Sequence, residues 1–144
     1  MRLSELNPEF LRFDVRTETW SEIVGDHRTW RQRGCPTVEV TGPRCFSKFV
    51  NSLEEAQGIM FACPLCHNKR TRDGYEGSHS VMVAFANKGI IEEHCCAMRN
   101  KEGRLVLWNV GGSGFDDLTI TPSILIQGGC GWHGFVTNGE VSIL

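Results

Sequence analysis

Two short elements, Cys63-Pro64-Leu65-Cys66 and Cys130-Gly131-Trp132-His133, each set two metal-type side chains three positions apart. Thiolate and imidazole suit zinc, which is borderline-soft and takes no geometry from its d electrons. Pro64 and Gly131 favour turns between the paired ligands, and Gly128, Gly129 and Gly134 bracket the second pair with residues that accept positive φ. Together the elements supply three thiols and one imidazole, the number that tetrahedral zinc requires. The expected site is therefore Zn2+ held by Cys63, Cys66, Cys130 and His133, with His67, His79 and His94 as competing ligands. Four protein ligands make a closed, structural site, because catalytic zinc keeps one position for water. On this reading the metal clasps two distant parts of the chain and points away from catalysis.

Were one position open, a zinc-bound water would become a nucleophile. His79 or an acid such as Asp116 would then serve as its base, although no spacing selects one. No serine or cysteine stands in a recognisable nucleophile motif, and the adjacency of Ser78 and His79 carries no triad geometry. Gly111-Gly112-Ser113-Gly114 lacks the Gly-Lys-Ser/Thr ending of a phosphate loop. Lys69, Arg70 and Arg72 follow the first ligand pair and offer cations to phosphate, while Trp132 offers a face to a base. These four are the expected partner-binding residues.

The elements that would carry such a site read as strands. Asp14–Ile23, Val38–Val40, Ile59–Ala62, Ser80–Phe85 and Arg104–Val110 are apolar, β-branched or alternating. Gly42-Pro43 is expected to close the second of these. Pro122 divides Leu118–Thr121 from Ser123–Ile126, which suits an edge or a bulge. Asn138-Gly139 between Phe135–Thr137 and Glu140–Ile143 is a hairpin signal. Ser52 and Glu55 have capping-box spacing, so a short helix is expected over 52–57. The fold class is mainly β, or α+β, with antiparallel strands around a zinc-ribbon-like site made of two knuckles. One domain over 1–144 is expected, residues 1–35 being an N-terminal extension and 36–144 the zinc-binding core.

With 144 residues, 40% hydrophobic and 22% charged, the chain has a globular composition. A formal charge of −2 argues against a generally basic nucleic-acid binder. The apolar runs are too short for a membrane span, and the first residues lack the apolar segment of a secretory signal. Seven cysteines in such a chain favour reduced thiols and metal ligation, so a cytoplasmic setting is expected.

Several stretches carry a resemblance: Val38–Pro43, Ser52–Phe61 leading to Cys63 and Cys66, Gly77–Val81, Trp108–Gly114, and Asp117–Ile124 running on to Gly129–Val136. Through them the chain, over roughly residues 36–144, resembles a family of small uncharacterised bacteriophage and prophage proteins with a C-terminal metal-binding hairpin. The resemblance implies a phage protein of the host cytoplasm that binds zinc through its Cys-x-x-Cys and Cys-x-x-His pairs. The expected function is then a zinc-stabilised binding module whose partner is a protein or a nucleic acid. A zinc-dependent hydrolase with an open metal site and a virion or assembly component are the alternatives.

Overall fold

A computed structural model describes residues 1–25, 36–67, 79–94, 97–126 and 130–144. It is mainly β, as the residue pattern implies. Eight strands form one sheet: β1 (Glu9–Ile23), β2 (Thr37–Val50), β3 (Gly58–Ala62), β4 (Ser80–Phe85), β5 (Leu107–Gly111), β6 (Thr119–Leu125), β7 (His133–Thr137) and β8 (Glu140–Val141). Their order is β2-β1-β3-β4-β5-β6-β7-β8, and every neighbouring pair is antiparallel except β4 and β5. Two 3₁₀ turns, Leu3–Leu6 and Phe115–Asp117, complete the regular structure among the described residues.

The sheet curls until its last strand meets the start of the chain. Leu3 N–H donates to the Gly139 carbonyl at 2.8 Å, Val141 N–H donates to that of Met1 at 2.8 Å, and Arg2 pairs with Glu140. Inside this closure Leu3, Leu6, Ile59, Phe61, Ile120 and Val136 are buried in one apolar cluster. The N-terminal stretch thus contributes core as well as strand.

Several expected elements are longer or shorter than their local signals. β2 runs through Gly42-Pro43 instead of stopping there, because it lies at the sheet edge, where a missing N–H leaves no ladder bond unmade. Residues 52–57 form one tight turn and no helix. The capping hydroxyl of Ser52 does accept from Glu55 N–H at 3.4 Å, but β3 begins at Gly58 and leaves no room for a second turn. β6 carries through Pro122, and its register against β7 slips between Ile120 and Ile124. Ile120 faces Val136 and Ile124 faces Gly134, so three residues of β6 oppose Phe135 alone. That bulge contains Pro122 and Ser123.

At Asn138-Gly139 the chain turns with φ of 49° and 77°, the two positive values of a type I′ hairpin. A Cβ on Gly139 would clash with the Asp116 carbonyl oxygen. Gly139→Ala is therefore expected to destabilise the fold by more than about 1 kcal/mol, through both φ and crowding. Thermal unfolding monitored by circular dichroism checks this.

Candidate active site and metal centre

The antiparallel register of β3 and β4 aligns Phe61 with Val81 and Ala62 with Ser80, so the residues just outside this ladder are Cys63 and His79. Cys63 N–H donates to the His79 carbonyl at 2.8 Å. The Cys63–Cys66 turn is closed by His67 N–H, which donates to the Cys63 carbonyl at 2.8 Å. From the opposite side, Cys130 arrives just before β7. Three strand ends therefore deliver Cys63, Cys66, His79 and Cys130 to one point, with their ligand atoms all within 4.8 Å of one another. Cys130 Sγ lies 3.3 Å from Cys63 Sγ and 3.1 Å from His79 Nε2.

The donor set fits a thiophilic metal ion. Tetrahedral zinc, with bonds of about 2.3 Å to sulfur and 2.0 Å to nitrogen, would space such atoms roughly 3.5–3.8 Å apart. Burial pushes the Cys66 thiol up to about 11, with further increases from its bonds to Cys130 and Cys63. Cys63 is also raised, chiefly by burial. Cys130 is drawn down to about 6, first by its hydrogen bond with His79. Crowded thiols of this kind lose their protons to a cation that binds them.

His133 is not in the cluster. Trp132, fully buried, turns inward, and its indole N–H donates to the Ser142 carbonyl at 3.2 Å. Its ring meets Phe61 edge-on, with centroids 6.0 Å apart. Neighbouring side chains on a strand point to opposite faces, so an inward Trp132 sends His133 outward. His79 occupies the place among the ligands that spacing gives to His133. Burial also removes Trp132 from the expected partner surface, and Lys69, Arg70 and Arg72 lie outside the described residues. As a ligand candidate, His79 is no free catalytic base, and exposed Asp116 is engaged only through its carbonyl, which accepts from Arg2 Nη2 at 2.8 Å. His94 is buried beside Phe13, its Nδ1 accepting from Ile91 N–H at 3.1 Å.

Freed from the metal, His133 has a different partner. Its Nε2 lies 3.1 Å from Ser123 Oγ. Leu125 stands directly opposite His133 across β6 and β7, and Ser123, two residues before Leu125, shares its face by strand alternation. The Ser123 carbonyl is held by the Trp108 indole N–H at 3.2 Å, which fixes the backbone of the bulge. A hydroxyl within hydrogen-bond reach of an imidazole is the arrangement of an activated nucleophile and its base. Among the described residues no carboxylate is hydrogen-bonded to His133, so the pair stands as a dyad.

Residues 75–144 match the family model described as bacterial ubiquitination-like system serine protease (BubE). No curated protein and no solved structure matches the chain. The match overturns the expected phage binding module and the two alternatives beside it, since the family it names is an enzyme that works through serine. The matched segment holds Ser123, His133, His79 and Cys130, while Cys63 and Cys66 come from outside it. Local sequence hides Ser123: Pro122 signals an irregular strand, but only the β6–β7 register shows that His133 lies beside the next residue.

The geometry separates the two histidines experimentally. His79→Ala and Cys130→Ala are expected to lower bound metal well below one equivalent per chain, whereas His133→Ala retains it. Elemental analysis of the purified variants distinguishes them.

Proposed function

We propose that this protein is a serine peptidase in which Ser123 is the nucleophile and His133 the general base. The observation that carries this reading is the 3.1 Å contact between Ser123 Oγ and His133 Nε2 inside the segment that resembles the BubE family. The substrate is a protein of a bacterial ubiquitination-like system, as the name of that family suggests, and the setting is the cytoplasm. The free thiols of Cys45, Cys63, Cys66 and Cys130 suit a reducing compartment. Among the described residues no helix is long and apolar enough to cross a membrane.

In the reaction, Ser123 Oγ attacks the scissile carbonyl while its proton passes to His133 Nε2. The resulting imidazolium returns that proton to the departing amine, leaving an acyl-serine. A water then attacks the ester, giving its proton to His133, and Ser123 recovers its own as the acid product leaves. The oxygen and nitrogen stand at hydrogen-bond distance before any substrate arrives, with the Ser123 backbone held by Trp108.

Zinc is the metal this reading assigns to Cys63, Cys66, His79 and Cys130, where it would supply a structural cross-link. Such a cross-link would anchor the chain three residues ahead of the base, so that Trp132 packs inward and His133 stays at the dyad. Four protein ligands leave it no part in the proton transfers. Structural zinc contributes about 10–16 kcal/mol in small domains, comparable to or above the net stability of most domains.

A small alkyl fluorophosphonate tests the nucleophile. It is expected to modify the wild-type chain once, at Ser123, as read by mass spectrometry of peptides. Ser123→Ala should abolish the modification, and His133→Ala should slow it by at least about 10³-fold. Modification at another serine, or undiminished labelling of Ser123→Ala, would sink the assignment.

A further inference from the structure

Single apolar side chains on a protein surface are ordinary. Two bulky ones on either side of a nucleophile and its base are a more specific arrangement. Leu125 is 46% exposed and Phe135 is 39% exposed, although both lie within strands whose alternate residues are buried. Leu125 is the direct cross-strand neighbour of His133, and Phe135 is two residues along the same strand. Both therefore share the face of His133, on which Ser123 also stands. The opposite face of the same strands carries Ile124, Trp132 and Val136, all buried in the core. Among the described residues, neither Leu125 nor Phe135 packs against the core clusters.

Resting on the serine-peptidase reading, we propose that Leu125 and Phe135 are the walls of a substrate subsite that selects a peptide with bulky apolar side chains beside its scissile bond. The spacing suits an extended peptide. Leu125 stands about 4.5–5.5 Å from His133 across the ladder, and Phe135 about 6.7 Å from it along the strand. Side chains on one face of an extended substrate repeat at that same interval of about 6.7 Å. With its carbonyl at Ser123 Oγ, such a peptide lays side chains from near the scissile bond onto the two apolar walls. Water leaving those surfaces favours leucine- or phenylalanine-sized groups and disfavours glycine or aspartate. Hydroxyls border the patch, since the Ser142 side chain accepts from Phe135 N–H at 3.1 Å and exposed Thr137 follows two residues on. They add no charge that would attract an ionic side chain.

The test compares two activated aryl phosphonates with one leaving group, one built on phenylalanine and one on glycine. Each phosphonylates a nucleophilic serine and releases a phenol. The phenylalanine reagent is expected to label Ser123 at least about tenfold faster than the glycine reagent. That ratio should fall towards one in Leu125→Asp and Phe135→Asp, and in Leu125→Thr and Phe135→Thr, which retain strand propensity. Because the ratio is measured within each variant, a general loss of folded protein does not imitate the effect. Labelling of Ser123 with a wild-type ratio near one, or a ratio that survives all four substitutions, overturns the subsite and leaves the peptidase reading intact. A ratio lost in Met98→Asp alone overturns it too, by moving recognition to the groove of about 400 Å³ lined by Met98, Arg99, Lys101, Val106 and Ile126. No modification of Ser123 by either phosphonate or by the alkyl fluorophosphonate overturns the peptidase reading and the subsite together.

Discussion

The inward rotation of one indole decides what the C-terminal ligand-like element does. Trp132 is the largest fully buried side chain among the described residues, held by Phe61 on its edge and by the Ser142 carbonyl at its nitrogen. A strand that buries residue 132 must expose 133. Cys130, two residues earlier, can reach the cluster at the ends of β3 and β4, whereas His133 cannot follow it. One packing preference therefore divides a four-residue element between two sites of different chemistry. The ligand-type spacing of Cys130 and His133 is genuine, but a strand begins between them.

The remaining architecture brings both sites to the β6–β7 pair. β3 ends just before Cys63 and β4 begins just after His79, so their register presents a thiol and an imidazole side by side. β6 contributes the other half. Ser123 lies two residues before Leu125, the cross-strand partner of His133, at the end of the surplus residues that oppose Phe135. The Trp108 indole bonded to the Ser123 carbonyl ties that bulge to the neighbouring strand β5. The Cys/His cluster, the buried indole, His133 and Ser123 follow one another along the β6–β7 end of the sheet.

Much of this was legible in the residues. Alternating and β-branched segments reveal a mainly β chain, Asn138-Gly139 marks its hairpin, and Pro122 marks an irregular strand. The Cys63 and Cys66 spacing and the turn around Cys130 point to a shared site because those signals are local. Two features were not decided by the residues alone: His79 stands there only as one of three competing ligands, and Ser123 has no marked partner. The physical reason is the same for both. That His79 joins the thiols, and that Ser123 meets His133, both follow from cross-strand register, which depends on which strands pair and where each bulges. A serine after a proline has many fates, and nothing within a few residues of Ser123 records that a histidine ten positions away will lie beside it. The expectation of a binding module rests on a closed four-ligand site and on the phage-family resemblance, and neither sets His133 beside a serine.

The closure between Met1–Leu3 and Gly139–Val141 also has a temporal consequence. These contacts join positions separated by nearly the whole chain, with the Arg2 guanidinium bonded to Glu140 at 3.0 Å. During synthesis the first residues emerge long before their partners exist, so Leu3 and Leu6 remain without the surface they later cover. Loop-closure entropy must be met before those contacts form, which slows folding of topologies with such distant pairings. The proposed nucleophile and base, Ser123 and His133, lie on the late-arriving strands β6 and β7, next to that seam. On the proposed reading, a nascent or truncated chain ending before β7 holds Ser123 without its base.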